Sequence, residues 1–221
     1  MKLSVIIPVF NEINTLQEII KRVHAVSLEK EIIIVDDFST DGTRELLPNI
    51  KDVKVILQKS NQGKGAAIRE GIRQANGDYL IIQDADLEYD PNDYIKLLQY
   101  AKNNQVVYGS RFLENNYFPS ITHYFGNKFL TWLCVILYRA PLTDMETCYK
   151  LIPTNIIKQI PLRANRFDFE PEITAKILKR GHKIIEVPIF YKGRQAGEGK
   201  KISWKDGFSA VWALVKYRFY E

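Results

Sequence analysis

The sequence predicts an α/β fold: a mostly parallel sheet flanked by helices, with an amphipathic helix at the C-terminal end. Three observations predict it. Short apolar runs of strand length alternate with segments whose apolar residues recur at helical spacing. Polar clusters follow several of those runs, at the carboxyl ends where parallel sheets collect ligands. The tail, 203–219, sets Trp204, Phe208, Val211, Trp212, Val215 and Phe219 along one helical stripe.

The elements follow in chain order. "LSVII" (3–7) reads as a buried strand. A helix comes next, with Ile13, Leu16, Ile19, Ile20 and Val23 on one face. "EIIIV" (31–35) is a second buried strand that runs into Asp36 and Asp37. The turn-rich "FSTDGT" and a short helix near 43–47 lead to a third strand, "VKVIL" (53–57). "NQGKG" (61–65) is a loop before a helix carrying Ala67, Ile68 and Ile72. "DYLII" (78–82) is a fourth strand. Asp90 and Pro91 signal a helix start, and that helix is expected to run to about Lys102. "VVYGS" (106–110) is a fifth strand.

Beyond a composition shift near residue 112, residues 122–138 read as a helix that is aromatic and apolar nearly all round. "TCYKLI" (147–152) and "KIIEVPIFY" (183–191) read as strands. Between them, Glu170 and Pro171 open a helix stopped by Gly181. "KGRQAGEGKK" (192–201) is a glycine-rich, cationic loop. No repeat or low-complexity segment interrupts this order.

Composition narrows the classes. With 221 residues and 46% hydrophobic content, the chain suits one domain with a sizeable core. Two cysteines, Cys134 and Cys148, exclude a disulfide scaffold and supply no paired zinc spacing, so a reducing cytoplasm is expected. "MKLSVIIPVF" lacks a signal-peptide cleavage site. The longest apolar run, "FLTWLCVILY", falls short of the ~18 residues that span a bilayer. The net charge of +5 fits either an anionic partner or ordinary surface lysines.

Chemistry gathers in a few places. In "IIQDADLE" an extended chain would send Asp84 and Asp86 to the same face, a donor set suited to Mg²⁺ or Mn²⁺. If the extended path continued, Glu88 would join them. The other reading of this stretch is a helix cap or a solvated loop. Asp36-Asp37 suits hydrogen bonds from a base or ribose, or else a turn. "NQGKG" fits a phosphate-binding turn with Lys64 adding charge, or simply a helix-start loop. It is not a Walker loop, and no Gly-X-Gly-X-X-Gly follows the first strand, which argues against a dinucleotide oxidoreductase. Arg111, Arg194, Lys200 and Lys201 supply cations. Acids for a metal and cations for phosphate point to transfer chemistry on a phosphorylated donor.

In this order "VIIPVFNE", "IIIVDDFSTDGT", "NQGKGAAIREG", "GDYLIIQDADLEYDP" and "VYGSRF" resemble the family 2 inverting glycosyltransferases of GT-A (Rossmann-like) fold. Within that family the chain looks most like the polyprenyl-phosphate sugar synthases, of which dolichol-phosphate mannose synthase is the type. The likeness is strong over 1–112. It extends less specifically through "LTDMETCYKL", "FEPEITAKILKRG", "EVPIFYKGR" and "GEGKK". It implies a single catalytic domain over 1–221: a nucleotide-sugar half (1–112), an acceptor half (113–202) and the C-terminal amphipathic helix (203–221).

The resemblance also implies roles. Pro8, Phe10 and Glu12 contact the nucleotide, and Asp37 recognises the base. Lys64, Asp84, Ala85 and Asp86 complete the donor site. Asp84, Asp86 and Glu88 hold Mg²⁺ or Mn²⁺, although the mannose synthases commonly carry glutamine at the position of Glu88. Arg111, Arg194 and Lys200 meet the acceptor phosphate, which makes Asp86, Arg111 and Arg194 the expected catalytic set. A polyprenyl phosphate is already an anion and needs no base. "TDMETC" nevertheless leaves Asp144 or Glu146 open as a base, or as groups that orient arginines.

The expected partners are a nucleoside diphosphate sugar of the GDP-mannose or UDP-glucose type and a dolichyl or undecaprenyl phosphate. No nucleic acid is expected. Transmembrane helices of larger relatives are missing here, so the chain is expected to sit peripherally on the cytoplasmic face of a membrane or to use a small membrane-protein partner. Helix 122–138 and the tail suit that surface, being aromatic, apolar and basic together. The alternatives are transfer to a saccharide hydroxyl in cell-surface polysaccharide synthesis, and a non-catalytic nucleotide-sugar-binding module.

Overall fold

The computed structural model describes residues 1–114, 116–118, 120–194 and 204–220, without the side chains of 204 and 205. Seven strands form one mixed sheet: β1 (Leu3–Val9), β2 (Lys30–Asp36), β3 (Lys54–Leu57), β4 (Tyr79–Ile82), β5 (Val106–Ser110), β6 (Lys150–Pro153) and β7 (Ile184–Pro188). Their spatial order is β3-β2-β1-β4-β6-β5-β7. All neighbours are parallel except β6, which runs antiparallel to both β4 and β5. The predicted mostly parallel sheet is therefore present. The two halves of the chain interlock in it, because β6 comes from the second half and lies between two strands of the first.

The central strands are buried on both faces, which is why they read as continuous apolar runs. Helices α1 (Leu16–Ala25) and α3 (Lys64–Gln74) bury Leu16, Ile19, Ile20 and Val23, and Ala67, Ile68 and Ile72, as their spacing predicts. Gly71 lets α3 lie close on β1: a Cβ there would stand 2.4 Å from the Ile6 side chain. Truncating fully buried Ile6 to alanine would cost about 2–5 kcal/mol.

Several boundaries differ from the sequence reading. Helix α1 starts at Leu16, after a turn through 13–15, and α4 (Asp93–Gln99) starts later and ends earlier than expected. Asp90 and Pro91 belong to the turn before α4, where Asp90 Oδ1 accepts the Asn92 N–H. Strand β6 starts only at Lys150, because 144–148 form a loop, and β7 ends at Pro188.

In the second half, α5 (Ile121–Tyr138), α7 (Phe169–Lys179) and α8 (Trp204–Phe219) pack together, while α2 (Thr43–Leu46) and α6 (Thr154–Ile157) are single turns. The tail helix keeps the described aromatics of its stripe at the surface. It buries Ala210, Ala213, Leu214 and Tyr217, and leaves Phe208, Trp212 and Phe219 exposed. Helix α5 likewise buries Leu130, Thr131 and Cys134 and exposes Ile121, Phe125, Phe129, Trp132 and Ile136.

Candidate functional site

A cavity of about 740 Å³ opens at the carboxyl ends of the central strands, between them and α5, α7 and α8. Pro8, near the end of β1, and Phe10 and Glu12 beyond it line it. So do Asp37, Lys64 and the Asp84–Ala85–Asp86 turn, with Glu88, Arg111 and Arg194. The fold thus brings together every residue that the resemblance placed at the donor, the metal or the acceptor phosphate except Lys200, which like Lys201 lies outside the described residues.

At the end of β2 the two acids divide. Asp36 is fully buried and accepts the Ser39 N–H at 3.2 Å. Asp37 faces the cavity, and its two oxygens accept the Gln62 and Gly63 N–H groups, both at 2.7 Å. Burial raises the Asp37 pKa against the pull of those two hydrogen bonds. Meanwhile the Ala66 N–H bonds to the Asn165 carbonyl at 3.1 Å. The Gln62 and Gly63 amides of the "NQGKG" stretch, and the Ala66 amide just beyond it, therefore serve protein partners. The glycines are explained by packing: Cβ atoms at Gly63 and Gly65 would stand 2.3 Å and 2.6 Å from the Asn165 and Ala164 carbonyl oxygens.

Lys64, expected to add charge for a phosphate, is paired with two carboxylates. Its ammonium lies 2.9 Å from Asp84 and 3.0 Å from Glu170. Burial disfavours the charge, yet these two carboxylates outweigh it and hold the pKa well above that of an ordinary lysine. Sequence reasoning assigned Glu170 only to a helix start. Its Oε2 is buried without a hydrogen bond, beside the cavity.

Strand β4 delivers Gln83, whose Nε2 donates to the Asp84 carbonyl while its Oε1 accepts the Tyr94 and Tyr149 hydroxyls. This buried knot fixes the start of the acidic turn. The chain then bends through 85–86 and passes Leu87 at φ 64°, a left-handed conformation uncommon for a non-glycine residue. The extended path that would have aligned Glu88 with Asp84 and Asp86 therefore stops. Both Glu88 oxygens take hydrogen bonds, from the Tyr191 hydroxyl at 2.8 Å and the Arg194 N–H at 2.7 Å. Among the described residues no three His, Cys, Asp or Glu side chains gather as a metal cage. The three-carboxylate set expected from sequence is therefore not assembled.

Arg111 is buried, and its guanidinium holds Asp144 through Nε at 2.7 Å and Nη2 at 2.8 Å. Asp144 also accepts the Arg111 backbone N–H at 2.9 Å. Glu186 on β7 accepts the Thr143 and Asp144 N–H groups, and Lys150 Nζ donates to the Met145 and Thr147 carbonyls. Of the two roles left open for Asp144, orienting an arginine is the one its contacts describe. Glu146 differs: its Oε1 is buried without a partner at the cavity wall. Burial, aided by neighbouring Glu170, pushes its pKa up to about 8. Arg194 spans the cavity rim, donating from Nε to the Asp86 carbonyl at 3.0 Å and from Nη2 to Glu12 at 3.0 Å.

The comparisons with known proteins agree with this geometry. A family model described as "Glycosyl transferase family 2" matches residues 4–157. The chain is 29% identical over 212 residues to the dolichol-phosphate mannosyltransferase of Pyrococcus furiosus, covering 90% of this chain and 59% of that protein. It is 27% identical over 214 residues to the undecaprenyl-phosphate mannosyltransferase of Micrococcus luteus, covering 90% and 87%. It thus spans less than two thirds of the first relative. Glucosyl-3-phosphoglycerate synthase from Mycobacterium tuberculosis, solved with Mn²⁺, uridine diphosphate and phosphoglyceric acid, superposes with a TM-score of 0.74 over 98% of this chain and 76% of that one. At 16% identity that likeness is one of fold, and it matches the GT-A architecture expected from sequence. Because the family model matches residues 4–157, well over half of the chain, the protein belongs to glycosyl transferase family 2.

Proposed function

We propose that the protein is an inverting glycosyltransferase that moves a hexose from a nucleoside diphosphate sugar to a polyprenyl phosphate. The observation that carries this reading is the pairing, in one cavity, of the Asp84–Asp86 acids with the Arg111 and Arg194 guanidiniums. The activities for which the two mannosyltransferase relatives are named support it. The 1–112 half would hold the donor and the 113–202 half the acceptor.

The donor set fits a hard divalent cation. Asp86 is partly exposed, and its Oδ2 approaches Arg194 only at 3.7 Å, which leaves room for a metal that takes its other ligands from water and diphosphate. Asp84 and Asp86 would hold Mg²⁺ or Mn²⁺, and the fold neighbour solved with Mn²⁺ supports that choice. When bound, the cation would neutralise charge on the leaving diphosphate.

The chain's own residues do the rest. Asp37 and its loop border the nucleotide. Two of the five Arg111 N–H donors go to Asp144, so the guanidinium keeps donors to offer the incoming phosphate. Neutralised and oriented, an acceptor oxygen bonds to C1 as the bond from C1 to the diphosphate oxygen breaks, and the configuration inverts. A lipid acceptor implies membrane contact, and the exposed aromatic faces of α5 and α8 supply a surface for it. No helix among the described residues is long and apolar enough to cross a membrane.

The test is a panel of UDP- and GDP-sugars with polyprenyl phosphate, with and without Mn²⁺, scored by product mass. Asp86→Ala should abolish product while leaving the fold intact; undiminished turnover would sink the reading. Glu146 favours a second reading, transfer to a saccharide hydroxyl with this carboxylate as base, since its raised pKa suits proton abstraction near neutral pH. If Glu146→Gln loses saccharide transfer and no lipid product forms, that reading replaces the first.

A further inference from the structure

Glu88 fastens one short segment at three points. Its carboxylate accepts the Tyr191 hydroxyl and the Arg194 N–H, and its carbonyl accepts the Lys192 N–H at 2.9 Å. The Arg111 and Arg194 guanidiniums depend on that segment. Arg111 lies over the Tyr191 ring, 5.2 Å from its centroid. Arg194 belongs to the segment itself and reaches back to Asp86 and Glu12. Asn116 ties the same parts together, accepting the Tyr191 N–H and donating to the Arg111 carbonyl.

The side-chain chemistry explains a carboxylate at this position. Two donors, one O–H and one N–H, converge on its two oxygens. An amide has only one acceptor oxygen, so glutamine would keep one of these bonds and force the tyrosine hydroxyl to turn. A charged acceptor also makes the stronger pair of bonds.

We propose that Glu88 is a positioning residue for the acceptor phosphate: through Tyr191 and the Arg194 backbone it sets the placement of both arginines, and it does not ligate the cation. This rests on the reading that Arg111 and Arg194 meet that phosphate.

The experiment compares Glu88→Ala, Glu88→Gln and Tyr191→Phe with wild type by three measurements. These are kinetics against polyprenyl phosphate, calorimetric affinity for GDP and UDP with Mn²⁺, and amide exchange across 191–194. Glu88→Ala should raise the acceptor KM on the order of tenfold and leave Mn²⁺-nucleotide affinity within about twofold. It should also speed exchange at the Arg194 amide. Glu88→Gln and Tyr191→Phe, which keep more of the packing, should shift the acceptor KM less and in the same direction. Loss of Mn²⁺-nucleotide affinity with unchanged Arg194 exchange would overturn the proposal and make Glu88 a metal ligand. A wild-type protein inactive on polyprenyl phosphate would overturn the acceptor reading alone. The exchange and calorimetry arms would then still decide whether Glu88 holds the segment or the cation.

Discussion

Arg111 and Asp144 form a buried, two-pronged ion pair, with Nε and Nη2 each donating to a separate carboxylate oxygen. The pair joins the end of β5 to the loop before β6, 33 residues apart. Removing one partner strands a buried charge. Asp144→Ala should therefore cost about 3–5 kcal/mol in urea denaturation and lower transfer with it. Arg111→Lys should not restore activity, because an ammonium cannot reproduce two parallel N–H bonds.

Glu146 gives a pH signature. Its pKa rises from an ordinary 4.5 to about 8 in the fold, so folding takes up a proton between those values. The stability this provides is full below about 4.5 and is lost as pH rises through about 8. Glu146→Gln removes the titration. Its melting temperature should gain on wild type steadily across that window, and a constant difference would refute the assignment.

Gly63 sits at φ +98° with the Asn165 carbonyl against its Cα. Gly63→Ala should destabilise the protein by about 1–3 kcal/mol through backbone strain, with the clash adding to it. The loop that engages Asp37 would shift, so weaker nucleotide binding should accompany the lower melting temperature.

The faces of α5 and α8 make a different prediction. Phe125, Phe129 and Trp212 are more than half exposed, so changing them to serine should move stability within about 0.5 kcal/mol. Binding to phosphatidylglycerol vesicles should nevertheless fall in co-sedimentation, while turnover with a short, water-soluble acceptor phosphate persists. Unchanged vesicle binding would exclude this surface from membrane contact.

Much of the fold was legible because strand and helix periodicities are local. The runs at 3–7, 31–35, 78–82 and 106–110 became central strands since they are buried on both faces. The antiparallel insertion of β6 was not legible, because pairing direction is settled by where a loop lets the chain turn. The packed side of the tail helix was not legible either. Its largest apolar residues formed the obvious stripe, yet the small residues Ala210 and Ala213 permit close packing and took the buried side.

The acidic turn divides the two kinds of information most sharply. Sequence alone determined that carboxylates and arginines end several strands of one sheet, and strand ends of a parallel sheet must share an edge. It could not determine what each charge meets, since partners such as Glu88 and Arg194 are 106 residues apart. Tertiary structure gave Asp144 to Arg111, Glu170 to Lys64, and Glu88 to Tyr191 and the Arg194 backbone. The reason is physical: a charge withdrawn from water must find a partner nearby in space, and the fold alone sets which groups are near.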